Sequence, residues 1–178
     1  MMPTRFAHDT GEITITPLDP DAWQDYKLLR LQAPATDPQA FEASYADQRT
    51  QPDAYWKSQL TDAATNRGSL LLFATQGQRP VGVIGALVTE EPHLAHIRAA
   101  FVAPAARGRG VGTALLEAVL HDLRREPAIQ TVRLSVNAAQ VAAVTLYGRC
   151  GFGIVADDRA TFGDGQAYDG YLMEKVLR

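Results

Sequence analysis

The feature of this sequence that most restricts its fold is a strand–turn–helix unit in residues 94–125. Leu94–Val102 is an apolar, β-compatible run that Pro104 ends, and residues 110–125 have the period of an amphipathic helix. The apolar stripe of this helix consists of Val111, Leu115, Val119 and Leu123. A strand and a helix that each carry an apolar face bury it against further layers, so the unit predicts a sheet covered by helices.

The glycine-rich turn between this strand and this helix reads Arg107-Gly108-Arg109-Gly110-Val111-Gly112. Glycines let the backbone come close to a ligand, and the free N–H groups and dipole at the start of a helix favour an anion. With two arginines nearby, the turn predicts a diphosphate site. A loop that binds a nucleotide triphosphate ends in Gly-Lys-Ser/Thr, and this turn does not. A dinucleotide-binding fingerprint lies in the first strand–helix unit of its domain, whereas this turn lies much later in the chain. The turn alone also fits an ordinary glycine-rich loop with exposed arginines.

The rest of the chain predicts more strands and helices of ordinary length. The predicted strands are residues 12–16, 70–75, 81–89, 131–136, 152–157 and 167–177. The predicted helices are one that Asp19 or Asp21 caps, with Trp23, Tyr26, Leu29 and Arg30 at helical spacing, then residues 54–65 and 138–149. Prolines at 34, 38 and 52 predict a short helix and a substantial loop in residues 33–54. A run of strands followed by strand–helix–strand–helix predicts a mixed sheet in an α/β or α+β domain.

The size of the chain suits one domain. It has 178 residues, of which 46% are hydrophobic and 21% charged, which is enough for one sizeable core and a tight fit for two. No repeat or low-complexity linker divides it. We therefore predict a flexible tail in residues 1–10 and a single domain in residues 11–178.

Charge and cysteine content bear on partners and compartment. The net charge of −3 gives no basic field for nucleic acid or an anionic membrane. The only cysteine, Cys150, forms no internal disulfide and no thiolate metal cluster, which favours a reducing compartment. Neither a secretory signal nor an apolar run of roughly 20 residues is present. The expectation is a soluble cytoplasmic protein without a metal.

Three segments resemble landmarks of one family. Val102-x-Pro104 followed by Arg107-x-x-Gly110-x-Gly112 resembles the pyrophosphate motif of the GNAT superfamily of acetyltransferases. Asn137 and the run Ala143-x-x-Leu146-Tyr147-x-x-Cys150-Gly151-Phe152 resemble the family's second landmark. Residues 169–174 are similar to its final strand. The resemblance covers roughly residue 70 to the C-terminus, and three pieces in the right order make coincidence a poor explanation.

The resemblance implies the GNAT, or acyl-CoA N-acyltransferase, fold and its cofactor, acetyl-coenzyme A. This fold is a mixed, mostly antiparallel sheet with splayed central parallel strands and helices on both faces. The pantetheine arm enters the gap and pairs with a strand edge. Gln140 stands where many relatives have an asparagine that touches the cofactor. The implied cofactor-binding residues are Phe101, Val102, Ala103, Arg107, Gly108, Arg109, Gly110, Val111, Gly112, Thr113, Asn137 and Gln140.

The resemblance also implies catalytic roles. Tyr147 matches the family's general acid, although an aromatic beside Leu146 and Phe152 also fits a core position. The oxyanion is expected to meet a backbone N–H near Val102. Counting back from Val102 along the strand places His96 at the family's base, on the assumption that residues 96, 98, 100 and 102 share one face. A water chain from Glu90, Glu91 or His93 is the alternative, and Cys150 is not expected to be a nucleophile.

The implied reaction is transfer of an acetyl group to a primary amine of a small molecule, amino acid or peptide, directly within a ternary complex. A protein N-terminal or lysine acetyltransferase and a catalytically silent acyl-CoA-binding or regulatory module are the alternatives, and homodimers are common in the family. An aromatic and acidic wall can hold an organic amine. The predicted substrate-binding residues are Phe41, Glu42, Tyr45 and Tyr171, with Tyr168 and Trp56 as further candidates and helix packing favoured for Trp56.

Overall fold

The computed structural model describes residues 4–6, 13–65, 68–88, 90–91 and 93–177. The strands are β1 (Thr4–Phe6), β2 (Ile13–Thr16), β3 (Ser69–Gln76), β4 (Arg79–Val88), β5 (Leu94–Val102), β6 (Thr131–Asn137), β7 (Gly153–Thr161) and β8 (Ala167–Val176). The helices are α1 (Trp23–Thr36), α2 (Tyr45–Arg49), α3 (Asp53–Ala64), α4 (Val111–Leu123) and α5 (Val141–Arg149). Every predicted strand and helix is present, and β5 has the predicted bounds.

Three residues of the predicted N-terminal tail form a strand. Thr4–Phe6 forms β1, which pairs antiparallel with β2 at the edge of the sheet. A strand of three residues is held by main-chain hydrogen bonds and is too short to show an apolar period, so the sequence pattern did not reveal it. The other residues of the predicted tail, as well as Glu12 and Thr89 of predicted strands, lie outside the described residues.

The region rich in prolines begins later than predicted, because α1 continues through Pro34 to Thr36. Asp19 caps the short 3-10 turn before α1, and its Oδ1 accepts a hydrogen bond from the Asp21 N–H at 2.9 Å. Pro34 lies in the last turn of α1, where it interrupts little of the hydrogen-bond ladder and the helix ends two residues later. The short helix predicted within residues 33–54 is α2.

The sheet has eight strands in the order β1-β2-β3-β4-β5-β6-β8-β7. The pair β5 and β6 is parallel, and every other neighbouring pair is antiparallel. Pairing between β5 and β6 covers only residues 94–96 and 131–133, after which the two strands diverge. This confirms the mixed, mostly antiparallel sheet with splayed central parallel strands.

Helices cover both faces of the sheet, as predicted, because successive residues of the central strands point to opposite sides. In β3, Leu72 and Ala74 belong to the core beneath α4, whereas Leu71 and Phe73 belong to the core beneath α1 and α3. Burying a side chain such as Phe73 contributes about 1.5–3 kcal/mol. Trp56 is 0% exposed in the second core, which confirms helix packing for this residue. None of the described helices combines the length and hydropathy that a bilayer crossing requires.

A β-bulge in β5 changes which residues share a face. Val83 pairs with Phe101, but Gly85 pairs with Arg98, so β5 holds one residue more than β4 in this interval. Ala99 within it has a φ of 57°, a left-handed conformation that is rare for alanine. Ala100 and Val102 consequently pack toward the α4 side and Phe101 toward the α1 side. The expectation that residues 96, 98, 100 and 102 share one face is wrong, because the extra residue breaks the two-residue period.

Candidate functional site

A cleft of about 680 Å³ opens where β5 and β6 diverge. One wall is β5 from Ile97 to Val102, and the opposite wall is the end of β6 together with α5. The glycine-rich turn and the first residues of α4 close one end. The strand–turn–helix unit singled out in the sequence therefore forms the centre of this cleft.

The turn has the geometry that an anion site needs. Gly108 and Gly110 have φ angles of 73° and 76°, and a Cβ atom at either would meet no other atom within 4 Å. Gly110 caps α4, whose first N–H groups have no acceptor within the helix. Val111, Gly112 and Thr113 line the cleft, so these amides and the positive end of the helix dipole face a space large enough for a diphosphate.

The side chain of Arg107 is already engaged within the protein. Its Nε donates a hydrogen bond to the carbonyl oxygen of Val102 at 2.8 Å, and its guanidinium forms an ion pair with the Asp37 carboxylate. The guanidinium carbon also lies 5.7 Å from the centre of the Phe101 ring. Arg107 thus joins the rim of the cleft to the segment that follows α1.

Most of the predicted cofactor-binding residues line the cleft. They are Phe101, Val102, Arg107, Gly108, Gly110, Val111, Gly112, Thr113, Asn137 and Gln140. Ala103 and Arg109 are not part of the lining. The N–H of Ala103 donates to the carbonyl oxygen of Val81 at 2.8 Å, so this amide faces β4 rather than the gap.

Asn137 has a structural task at the end of β6. It is 2% exposed, and its Nδ2 donates to the carbonyl oxygen of Gln39 while its Oδ1 accepts from the Ala139 N–H, both at 2.8 Å. Both ends of the amide are therefore used by the protein itself. Although Asn137 lies in the cleft wall, its side chain holds the backbone at Gln39 and Ala139 in place.

Residues 37–44, which we call the strap, connect α1 to α2, and Asp37, Ala40 and Phe41 within the strap line the cleft. The strap is tied to the turn before α4 by the ion pair of Asp37, and to β6 by the bond from Asn137 to Gln39. The N–H of Gly163, in the β7–β8 turn, donates to the carbonyl oxygen of Phe41 at 2.7 Å. Three anchors thus hold the predicted substrate-binding residue Phe41 in the cleft wall.

Tyr147 lies in the same cleft as the glycine-rich turn. The helix that carries Tyr147 approaches the start of α4 closely because Gly112 has no side chain: a Cβ there would lie 3.0 Å from Cδ1 of Leu146, the residue before Tyr147. The Tyr147 ring packs against Phe152 at a centroid distance of 5.9 Å. Burial raises the pKa of Tyr147 to about 12, so its hydroxyl stays protonated and can donate a hydrogen bond at neutral pH.

His96 is not in the cleft wall. It lies where β5 is still paired on both sides, opposite Leu87 and Arg133. Burial, followed by the charge of Arg133, lowers its pKa from the usual value. His93 and Glu91 lie before β5 begins, at the end of that strand away from the turn. The titratable side chains in the cleft lining are Asp37, Arg98, Arg107, Arg149 and Tyr147.

A smaller recess of about 80 Å³ adjoins the cleft, and the two share Ala40, Ser135 and Val136. Its other lining residues are Glu42, Asp158, Ala160, Phe162, Tyr168 and Gly170. The predicted residue Glu42 is among them, as is Tyr168. The prediction missed Asp158 and Phe162 because it ended β7 at residue 157, whereas the strand continues to Thr161.

Two predicted substrate-binding tyrosines lie elsewhere. Tyr45 is 42% exposed, and the guanidinium of Arg49 lies 6.0 Å from the centre of its ring. Tyr171 packs against the core beneath α4, on the face of β8 opposite to Tyr168. Neither belongs to the lining of the cleft or the recess.

Comparison with known proteins gives a family match. The model of the acetyltransferase (GNAT) family matches residues 26–152, which include the strap, the turn and α5. The mycothiol acetyltransferase of Salinispora tropica is 35% identical over 137 residues, which are 75% of this chain and 41% of that protein. The chain spans about two fifths of the length of the curated relatives it matches.

Solved structures share the fold at low sequence identity. A GNAT-family acetyltransferase from Streptococcus pneumoniae superposes with a TM-score of 0.80 at 19% identity, covering 93% of this chain and 99% of that one. The Salmonella typhimurium protein yncA, solved with its cofactor acetyl-CoA, has a TM-score of 0.77 at 17% identity, covering 93% and 94%. This chain therefore shares its fold with these proteins.

Proposed function

This chain belongs to the GNAT family of acetyltransferases, which use acetyl-coenzyme A, and from that membership we propose that it is an N-acetyltransferase. Its acceptor is a primary amine of a small molecule, an amino acid or a peptide. The observation that carries the proposal is that the glycine-rich turn at the start of α4 and Tyr147, whose hydroxyl is protonated at neutral pH, line one cleft.

The residues present fit the cofactor. The open space above Gly108 and Gly110, with the amides that begin α4, suits the linked phosphates. Past His96, the edge of β5 is not paired with β6 and is available to the amide groups of the pantetheine arm. When bound, acetyl-CoA supplies a thioester whose carbonyl carbon an amine can attack and whose sulfur can leave.

Tyr147 would donate a hydrogen bond to that sulfur when acetyl-CoA is bound. Its pKa of about 12 is higher than the value of about 8.5 for an ordinary thiol, so full ionisation of the phenol is unfavourable. The hydroxyl therefore acts chiefly as a donor that stabilises negative charge developing on the leaving sulfur. A preorganised donor in a partly buried cleft needs no rearrangement when the charge develops.

The protonation of the acceptor follows from the cleft lining. The one carboxylate there, Asp37, is paired with Arg107, and the remaining titratable groups are arginines and Tyr147. The amine must therefore bind in its neutral form, and the proton that its nitrogen loses on acylation passes to water or to the departing thiolate. His96 has no part in this step.

Direct transfer within a ternary complex is supported by the position of Cys150. Burial raises the pKa of its thiol, and the residue does not belong to the cleft lining. A protonated thiol outside the cleft makes a poor acceptor for an acetyl group. A cytoplasmic location and a homodimer stay predictions from the sequence.

The test is release of coenzyme A from acetyl-CoA across a panel of amines, amino acids and peptides. Turnover with an amine that falls at least 100-fold in Tyr147→Phe is the expected result. Tyr45→Phe is the matched control, because this tyrosine lies outside both cavities. Tight binding of acetyl-CoA without turnover on any amine would instead indicate a silent acyl-CoA-binding module.

A further inference from the structure

The recess beside the cleft carries negative charge that no described residue neutralises. Glu42 and Asp158 line it, and within the described part of the chain neither carboxylate forms an ion pair or a side-chain hydrogen bond. Arg159, the next residue after Asp158, pairs with Asp169 and is absent from the lining. No lysine or arginine belongs to the lining. The lining of the recess therefore contains two acidic residues and no basic residue.

Two aromatic rings form part of the same wall. Phe162 and Tyr168 pack edge to face with centroids 5.8 Å apart. The Tyr168 hydroxyl donates to Oδ2 of Asp164 at 2.7 Å, which fixes the orientation of its ring. An organic cation is attracted both to aromatic faces and to carboxylates, whereas a hydrated metal ion gains little from apolar rings. This combination favours an ammonium or guanidinium group.

The recess and the cleft differ in charge. The cleft lining contains Arg98, Arg107 and Arg149 against one acid, Asp37. The recess contains Glu42 and Asp158 and no base. The charge of the cleft suits an anionic cofactor, and the charge of the recess suits a cation. The cofactor and a cationic acceptor would therefore each be attracted to a different cavity.

The reacting nitrogen and the positive group in the recess are different atoms. The nitrogen that is acetylated must be neutral and near Tyr147 in the cleft, whereas Glu42 and Asp158 favour a protonated group. The two cavities share the lining residues Ala40, Ser135 and Val136, so they adjoin one another. A volume of about 80 Å³ accommodates a single small polar group.

We propose that the recess binds a second cationic group of the acceptor, so that the preferred substrates are amines whose other end is a protonated amine or guanidinium. This inference rests on the proposed function for its reaction and on the recess for its specificity. Glu42 and Asp158 supply the charge, and Phe162 and Tyr168 the aromatic wall.

The test compares acceptors of equal chain length that differ only at the far end. An α,ω-diamine, an ω-amino alcohol and an ω-amino acid are assayed for kcat/KM with acetyl-CoA across a series of lengths. At the best length we expect the diamine to exceed the amino alcohol on the order of 10-fold, and the amino acid to be the poorest. In the double variant Glu42→Gln, Asp158→Asn, the ratio of diamine to amino alcohol should fall close to one.

The control is Asp157→Asn, which removes the neighbouring carboxylate that does not line the recess; the ratio should keep its original value. Equal rates for diamine and amino alcohol, or a preference for the amino acid, would overturn the proposal. Calorimetric titration with the diamine separates this proposal from the proposed function. Binding that the double variant abolishes supports the recess even if no acceptor turns over, and absence of binding overturns it.

Discussion

The carboxylate of Asp37 pairs with the guanidinium of Arg107 and thereby ties the strap to the turn that begins α4. The same guanidinium holds the carbonyl oxygen of Val102 at the end of β5. One side chain therefore connects the segment beside the acceptor recess with the turn that suits the cofactor phosphates. Both residues line the cleft, so the positive charge of Arg107 is partly neutralised there by the Asp37 carboxylate.

Removing the carboxylate of Asp37 should strengthen the binding of coenzyme A. In Asp37→Asn the guanidinium keeps its charge but loses its anionic partner, so its attraction to the phosphates of coenzyme A increases. We expect a lower Kd for coenzyme A by calorimetry, with a difference that shrinks as salt is added. Because the pair is partly exposed, the free energy of unfolding should change by less than about 1 kcal/mol.

Asp169→Asn is the matched control for Asp37→Asn. It breaks the ion pair of Asp169 with Arg159, which is more exposed and lies on the β7–β8 hairpin. Its coenzyme A affinity should equal that of the unchanged protein. If Asp37→Asn also bound coenzyme A with unchanged affinity at low salt, Arg107 would have no electrostatic contact with the phosphates.

The pH dependence of the reaction should follow the acceptor rather than the enzyme. Tyr147, with its pKa raised to about 12, remains protonated at pH 10 and adds no alkaline limb there. We expect kcat/KM to rise tenfold per pH unit toward the pKa of the amine, which is about 10.4 for a lysine-like amine. A fall of the rate between neutral pH and pH 10 in stable protein would contradict this assignment.

Replacing His96 tests whether this side chain contributes to the pH dependence of kcat/KM. His96 lies in the paired part of β5 outside the cleft, and its pKa is lowered chiefly by burial and then by Arg133. His96→Gln should therefore leave both kcat/KM and its pH dependence unchanged for any accepted amine. Loss of a limb near the histidine pKa in this variant would restore His96 as the base.

Much of the fold was predictable because its signals are local. The helical spacing of apolar residues predicted the stripe from Val111 to Leu123, and the glycines predicted the turn before it. Both are present. The short strand Thr4–Phe6 was not predictable, because three residues show no period and depend on a partner strand.

The site was less predictable because it depends on irregular backbone. One extra residue near Ala99 reverses the faces of β5, so counting back along the strand led to His96, which does not reach the cleft. The strap lacks regular structure between α1 and α2 apart from a single 3-10 turn. Its anchors, such as the bond from Asn137 to Gln39, join residues far apart in sequence, and no local pattern reveals them.

The bulge itself can be tested by stability. Ala99 holds a left-handed φ of 57°, which costs alanine about 1 kcal/mol relative to glycine. Ala99→Gly should therefore raise the free energy of unfolding by about that amount in urea titrations. Ala99→Val should lower it by more, because a β-branched side chain fits this conformation worst. A destabilised glycine variant would show that the alanine methyl group contributes more by packing than the backbone loses by strain.

Finally, the anion site can be separated from ordinary turn chemistry by comparing two glycines. Gly110 and Gly77 have φ angles of 76° and 62°, and a Cβ atom at either meets nothing within 4 Å. Alanine at either position should destabilise the protein by about 1 kcal/mol, because both force the left-handed conformation on a residue with a side chain.

Only Gly110 lines the cleft, so only Gly110→Ala places its methyl group where the phosphates of coenzyme A are expected. Its Kd for coenzyme A should rise on the order of 10-fold, while Gly77→Ala binds normally. Equal affinities in the two variants would mean that the cofactor phosphates lie elsewhere.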